Sequence, residues 1–260
     1  MKKFFVILLV SVLLINLVGC GENISTEELE DSKSTYTESS NVEQSKKVPD
    51  DKTYNNDEIE YFSVLELTND TGLRFNMTLN EFIENYNQLV IDYANTYSNV
   101  NKNFIVGADF KKQNNSQQNS NGVLCDLYIC FSTLFGYNEN LGICVEIEQN
   151  SHNISGVSVA IDNNVLMKLT YEQRVLYTIQ RHIVYRALIN ELTLNDCYNI
   201  DEKIQVNSEN GFVPAHFERG IAFCLDSSYV QSIGIQYFRI QPCTKEQWKV
   251  APGFKDIPID

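Results

Sequence analysis

Three consecutive apolar runs, Val123–Leu134, Leu141–Gln149 and Ile154–Asp162, constrain this chain more than any other feature. Val, Ile, Leu, Phe and Tyr dominate them, and short polar connections separate them: Gly136-Tyr137-Asn138-Glu139-Asn140 and Asn150–Asn153. Such residues suit a pleated, half-buried surface. Connections this short join antiparallel neighbours, because a parallel pair needs a crossover of about a dozen residues or more. An antiparallel sheet must bury a face, and helical patterns flank the runs on both sides.

Upstream, Thr78-Leu79-Asn80-Glu81 fits a capping box, with Met77 and Phe82 spaced as a hydrophobic staple. Leu79, Phe82, Ile83, Tyr86, Leu89, Val90, Tyr93 and Tyr97 fall on one stripe, which predicts a helix over Leu79–Ser98. Downstream, Thr170-Tyr171-Glu172-Gln173 opens a second helix reaching about Leu192. Val175, Leu176, Ile179, Ile183, Ala187 and Leu188 line one side of it. Val184, Tyr185 and Ile189 widen that face enough to predict burial on more than one side. A shorter helix is expected over Asp196–Val206, with a loop at Asn207–Gly211.

Ile59–Leu67 and Leu73–Asn76 read as strands around an Asn69-Asp70-Thr71-Gly72 turn, and Asn103–Phe110 as another strand. Lys111–Gly122 is polar and low in complexity, the pattern of a mobile loop. His216–Leu225 and Tyr229–Ile240 read as a hairpin about Asp226-Ser227-Ser228, and the tail Pro242–Asp260 with Trp248 as an irregular strap. The order predicts an α+β body of antiparallel sheet packed against two main helices. The helix-plus-hairpin layout occurs twice, as a duplicated unit would.

Before Ile59 the character changes. Gly21–Glu58 holds eleven Asp or Glu against four Lys, and its apolar residues stand alone. Such a segment cannot offset its own ordering entropy and reads as a disordered acidic tether, with a flexible-chain span on the order of 35 Å. The whole chain carries −14. That balance excludes a nucleic-acid binder, which needs a basic patch, and disfavours electrostatic adhesion to anionic lipid. Met1-Lys2-Lys3 and the apolar run Phe4–Val18 form a secretory signal, shorter than the roughly 20 residues a spanning helix needs.

Leu17-Val18-Gly19-Cys20 closes that run and resembles the lipobox of bacterial lipoproteins. The resemblance implies that the Cys20 thiol receives a diacylglycerol. A dedicated signal peptidase then removes residues 1–19, and Cys20 starts the mature chain. Two or more acyl chains suffice for stable anchoring. Segments 1–19, 20–58 and 59–260 are then signal, lipidated tether and globular domain, placed on the extracytoplasmic face of the cell membrane. Met77–Asn87 (Met-Thr-Leu-Asn-Glu-Phe-Ile-Glu-Asn-Tyr-Asn) is also similar to helix openings in small lipoproteins of low-GC Gram-positive bacteria. That likeness brings no catalytic residues.

Reactive motifs are absent: there is no phosphate loop, no G-x-S-x-G elbow and no H-E-x-x-H helix. Of the three histidines, His152 falls in a turn, His182 in the second helix and His216 near a strand start, none with a metal-compatible neighbour at short spacing. Besides Cys20 there are Cys125, Cys130, Cys144, Cys197, Cys224 and Cys243, with no Cys-x-x-Cys pair. A first hairpin folded symmetrically about Tyr137 would set Cys130 opposite Cys144 for a disulfide, although it also sets Asp126 against Glu148; buried thiols are the alternative. Asp126, Glu146 and Glu148 would then share a face with Tyr128 and hold a cation or a basic partner, or form a solvated face. No cofactor is expected. The expected role is a non-catalytic module binding an envelope protein or small ligand. Its rivals are an envelope enzyme assembled from Asp126, Glu146, Glu148 and His216, and a module shielding a secreted partner.

Overall fold

The structure is a computed structural model, and it describes residues 60–68, 72–97, 100, 110–119, 122–131, 141–226, 234–251, 253–257 and 259. The signal, the lipobox, the tether, nearly all of the Asn103–Phe110 strand and the Asp226-Ser227-Ser228 turn beyond Asp226 lie outside the described residues. The rest is α+β. A two-stranded hairpin, β1 (Leu65–Thr68) and β2 (Gly72–Phe75), precedes helix α1 (Leu79–Thr96). Then come β3 (Lys111–Lys112), β4 (Gln117–Gln118), β5 (Leu124–Phe131), β6 (Leu141–Glu148) and β7 (Ile154–Asp162). Helices α2 (Asn163–Lys168), α3 (Tyr171–Leu188) and α4 (Leu194–Glu209) follow, and β8 (Ala215–Glu218), β9 (Ile221–Asp226), β10 (Ile235–Pro242) and α5 (Lys245–Val250) close the order.

The larger sheet runs β3-β5-β6-β7-β10-β9-β8, with β4 also paired to β5, and every described pairing is antiparallel. Two three-stranded meanders, β5–β6–β7 and β8–β9–β10, therefore meet at their last strands, where Phe238 lies opposite Val159. One face carries the helices. Phe82, Tyr86 and Val90 of α1, Ile183 and Val184 of α3, and Ile200 and Ile204 of α4 pack on Ile143, Val145, Val159, Phe223 and Phe238. The opposite face holds a smaller cluster around Leu127, Ile129, Cys144 and Tyr237. Toward β8 on that face, Trp248 of α5 lies in a cluster with Phe217 and Ala222, and Phe254 stacks on its ring at 4.7 Å.

The capping boxes at Thr78 and Thr170 form as the sequence requires, with Glu81 and Gln173 bonding back to the cap nitrogens. Two more were not anticipated: Thr193 with Asp196 opens α4, and Thr244 with Gln247 opens α5. The tail is thus partly helical, and α4 runs longer than Asp196–Val206. Asp162 caps α2, a short helix between β7 and α3.

Three expectations about strands need correction. The Ile59–Leu67 strand shortens to Leu65 onward, because Phe62 turns into the core and the Leu65 amide bonds back to its carbonyl at 2.9 Å. Lys111–Gly122 is no simple loop: backbone pairing to β5 does not depend on side chain, and Asn119 donates to Ser155 Oγ at 2.7 Å. The run His216–Leu225 is itself a hairpin, broken by Arg219 (φ 45) and Gly220 (φ 87) into β8 and β9. Left-handed conformations at both positions match the twist of a two-residue turn.

A Cβ added to Gly220 would lie 2.5 Å from Tyr61 Cδ1 and 2.8 Å from Leu65 Cδ1, in addition to its left-handed strain. Gly220→Ala is expected to lower stability by about 1–3 kcal/mol, measured as a reduced urea midpoint at unchanged slope.

Candidate functional site

Helix α4 presents three faces, and its sequence dictates them. Cys197, Ile200 and Ile204 recur at helical spacing and are buried in the main core. A second face holds Asp201, whose carboxylate binds α3 at three points. Oδ2 accepts from Arg181 Nη2 at 2.5 Å and pairs with His182 Nε2 at 2.8 Å, and Oδ1 accepts from the Tyr185 hydroxyl at 2.9 Å. Burial pushes the Asp201 carboxyl up. The hydrogen bond from His182, the positive charge of Arg181 and the Tyr185 hydroxyl outweigh that and hold it below the usual carboxylate range. Arg181 also lies 4.9 Å from the centre of the Phe238 ring, and Tyr198 meets His182 edge to face at 4.7 Å.

The third face of α4 is polar and overlooks β8. Between them runs a groove of about 520 Å³. Asp196, Asn199, Glu202, Lys203 and Val206 wall it from the helix. His216 and Glu218 line it from β8, and Phe212 contributes from the loop between the two elements. His216 is only 2% exposed, and its Nε2 pairs with Glu218 Oε2 at 3.2 Å. Asn207 donates to the Ala215 carbonyl at 2.7 Å and ties the end of α4 to the edge strand. Asp196 is held below the usual carboxylate range by hydrogen bonds from its Thr193 cap, so one wall of the groove keeps a charge.

Of the residues singled out from sequence, the groove contains His216 alone. The β5–β6 register is one residue away from symmetry about Tyr137: Cys130 lies opposite Ile143, and Cys144 opposite Ile129. A one-residue slip moves every side chain of a strand to the other face. Cys130 therefore joins the main core and Cys144 the opposite cluster, and the proposed Cys130–Cys144 disulfide is corrected to two buried thiols. The slip also relieves the like-charge pairing, since Asp126 now faces Ile147.

The same slip separates the three acids. Glu146 and Glu148 share a face with Leu127, while Asp126 and Tyr128 sit on the other. Each acid has a cationic partner. Glu146 takes Arg239 Nη2 at 2.9 Å, Glu148 takes Arg74 Nη1 at 3.5 Å, and Asp126 is bound by Lys112, which holds its carboxyl below the usual range. These charges are spent on internal pairing, so Asp126, Glu146 and Glu148 are no shared cation or partner face. No group of three or more His, Cys, Asp or Glu suited to a metal ion occurs among the described residues. His152 sits in the β6–β7 turn at φ 61, and His182 in the α3–α4 contact.

No protein-family model matches the chain, and neither a curated protein nor a solved structure proves similar to it. Among the described residues, no helix is long and apolar enough to cross a membrane.

Two outcomes follow. Burial raises the thiols of Cys125, Cys197 and Cys243 to about 12. The six thiols of the body are expected to resist a thiol reagent at pH 8 in the native state and all to react after unfolding without reductant. Asp201→Asn should cost about 3 kcal/mol at pH 7, as removing one partner of a buried charge cluster does. Because the folded pKa of Asp201 is depressed, that difference is full above the unfolded carboxylate value near 4. It fades as pH falls through the folded value, which urea titrations of both proteins at pH 7 and pH 3 would show.

Proposed function

We propose that this chain is a membrane-anchored extracytoplasmic lipoprotein whose α+β body is a non-catalytic binding module, with the α4–β8 groove as its binding surface. The groove carries this reading. It is an open concavity of about 520 Å³, within the range of small-ligand sites, and it combines fixed polar groups with apolar Val206 and Phe212. The groups an enzyme would recruit lie apart: Glu146 and Glu148 are bound to arginines on the sheet face away from α1, α3 and α4, while His216 faces α4. The signal and Leu17-Val18-Gly19-Cys20 support the anchor, and the acidic tether gives the body reach without attraction to anionic lipid. The partner is an envelope component small enough for the groove, held without a cofactor.

The anchor is tested at Cys20. Cells fed labelled palmitate are expected to label the wild-type protein, and Cys20→Ala to lose the label and keep its residues 1–19. A Cys20→Ala protein that is labelled, processed and retained like wild type would overturn the lipoprotein reading.

A further inference from the structure

We infer that the sheet face away from α1, α3 and α4 binds one internal water, in a hollow beside Gly156 between Glu146 and Arg239. This site is separate from the α4–β8 groove and does not rest on it. A glycine without a backbone duty marks the place. Gly156 stands inside β7, where glycine weakens a strand unless its conformation or a close neighbour requires it. Its φ is not left-handed. No neighbour crowds it either: a Cβ built there would lie 3.5 Å from Glu146 Oε2 and from the Ile240 carbonyl oxygen, and 3.7 Å from Arg239 Nη2. These are ordinary contact distances, so the missing side chain leaves room for a methyl group, which is room enough for a water.

The second observation is chemical. Glu146 is 2% exposed and Arg239 5%, and they meet through Oε2 and Nη2 at 2.9 Å. Arg239 Nε donates to Gln241 Oε1 at 2.7 Å. The remaining atoms of the two heads, Glu146 Oε1 and Arg239 Nη1, are buried without a hydrogen-bond partner. An acceptor and a donor of a buried ion pair are costly to leave unbonded, because only hydrogen bonds offset their removal from water. Each is joined through one carbon to an atom that borders the Gly156 hollow, so an occupant there reaches both. That occupant must donate to Oε1 and accept from Nη1. A cation would meet the arginine and an anion the glutamate, in a site whose two charges already cancel. Size excludes a larger molecule: Leu127, Cys144 and Ser158, beside the pair on the same face, are each at most 4% exposed. A neutral molecule of one heavy atom that both donates and accepts is water.

A crystal structure of the full-length chain, at a resolution that shows ordered solvent, tests this directly. A solvent peak is expected within about 3.2 Å of both Glu146 Oε1 and Arg239 Nη1. Gly156→Ala places its methyl in the same space at ordinary contact distance, so the variant should keep a cooperative urea transition and lose that peak. In solution, magnetic relaxation dispersion of the water oxygen should report one fewer long-lived internal water in Gly156→Ala than in wild type. A bidentate Glu146–Arg239 contact with no solvent beside it overturns the inference, as does a peak that touches only one of the two atoms. A folded Gly156→Ala protein that keeps both the peak and the long-lived water overturns the place assigned to it. Should Gly156→Ala not fold, the wild-type density alone decides. None of these results bears on the α4–β8 groove or on the Cys20 anchor.

Discussion

The seating of α4 on α3 is the interaction from which the functional surface follows. Asp201 is one carboxylate with three donors from α3, and it is mostly removed from water. A buried charge is tolerated only when its bonds are made, so the arrangement admits little rotation of α4 about its axis. With Asp201 fixed toward α3 and Ile200 and Ile204 fixed toward the sheet, the polar stripe from Asp196 to Asn210 must overhang β8. The groove is the remainder of that geometry.

The sheet supplies the other half. Its two meanders join through β7 and β10, which puts β8 at the edge, and the Arg219–Gly220 turn brings His216 and Glu218 beside α4. On the far face the sheet buries Glu146 and Arg239 as a pair at 2.9 Å. That pairing consumes charges that sequence position alone would offer to a ligand.

The α+β class was legible because α1 and α3 announce themselves twice, by a Thr-x-x-Glu/Gln cap and by an apolar stripe. Helix α5 carries the same cap at Thr244–Gln247, but six residues are too few for a stripe, and nearby prolines suggested a strap. Helix α4 uses Asp196 where Glu or Gln is the commoner partner, which hid its start. Register was less legible. The loop's symmetry about Tyr137 suggested one pairing, whereas separating Asp126 from Glu148 and dividing Cys130 from Cys144 between two apolar clusters favour the neighbouring one. For the site, His216 was visible as a residue. The helix over Asp196–Val206 was expected, but its polar face was not singled out. Nothing local told that the two would face each other, because their meeting depends on the tertiary position of an edge strand.

Native-state hydrogen exchange on Asp201→Asn is the most direct measure of whether one carboxylate seats the groove wall. Amides of α4 should lose protection while those of β6, β7 and β10 keep theirs relative to global stability, because α4 alone would open below the global limit. Uniform loss across helix and sheet, with α4 opening only on global unfolding, would contradict the account.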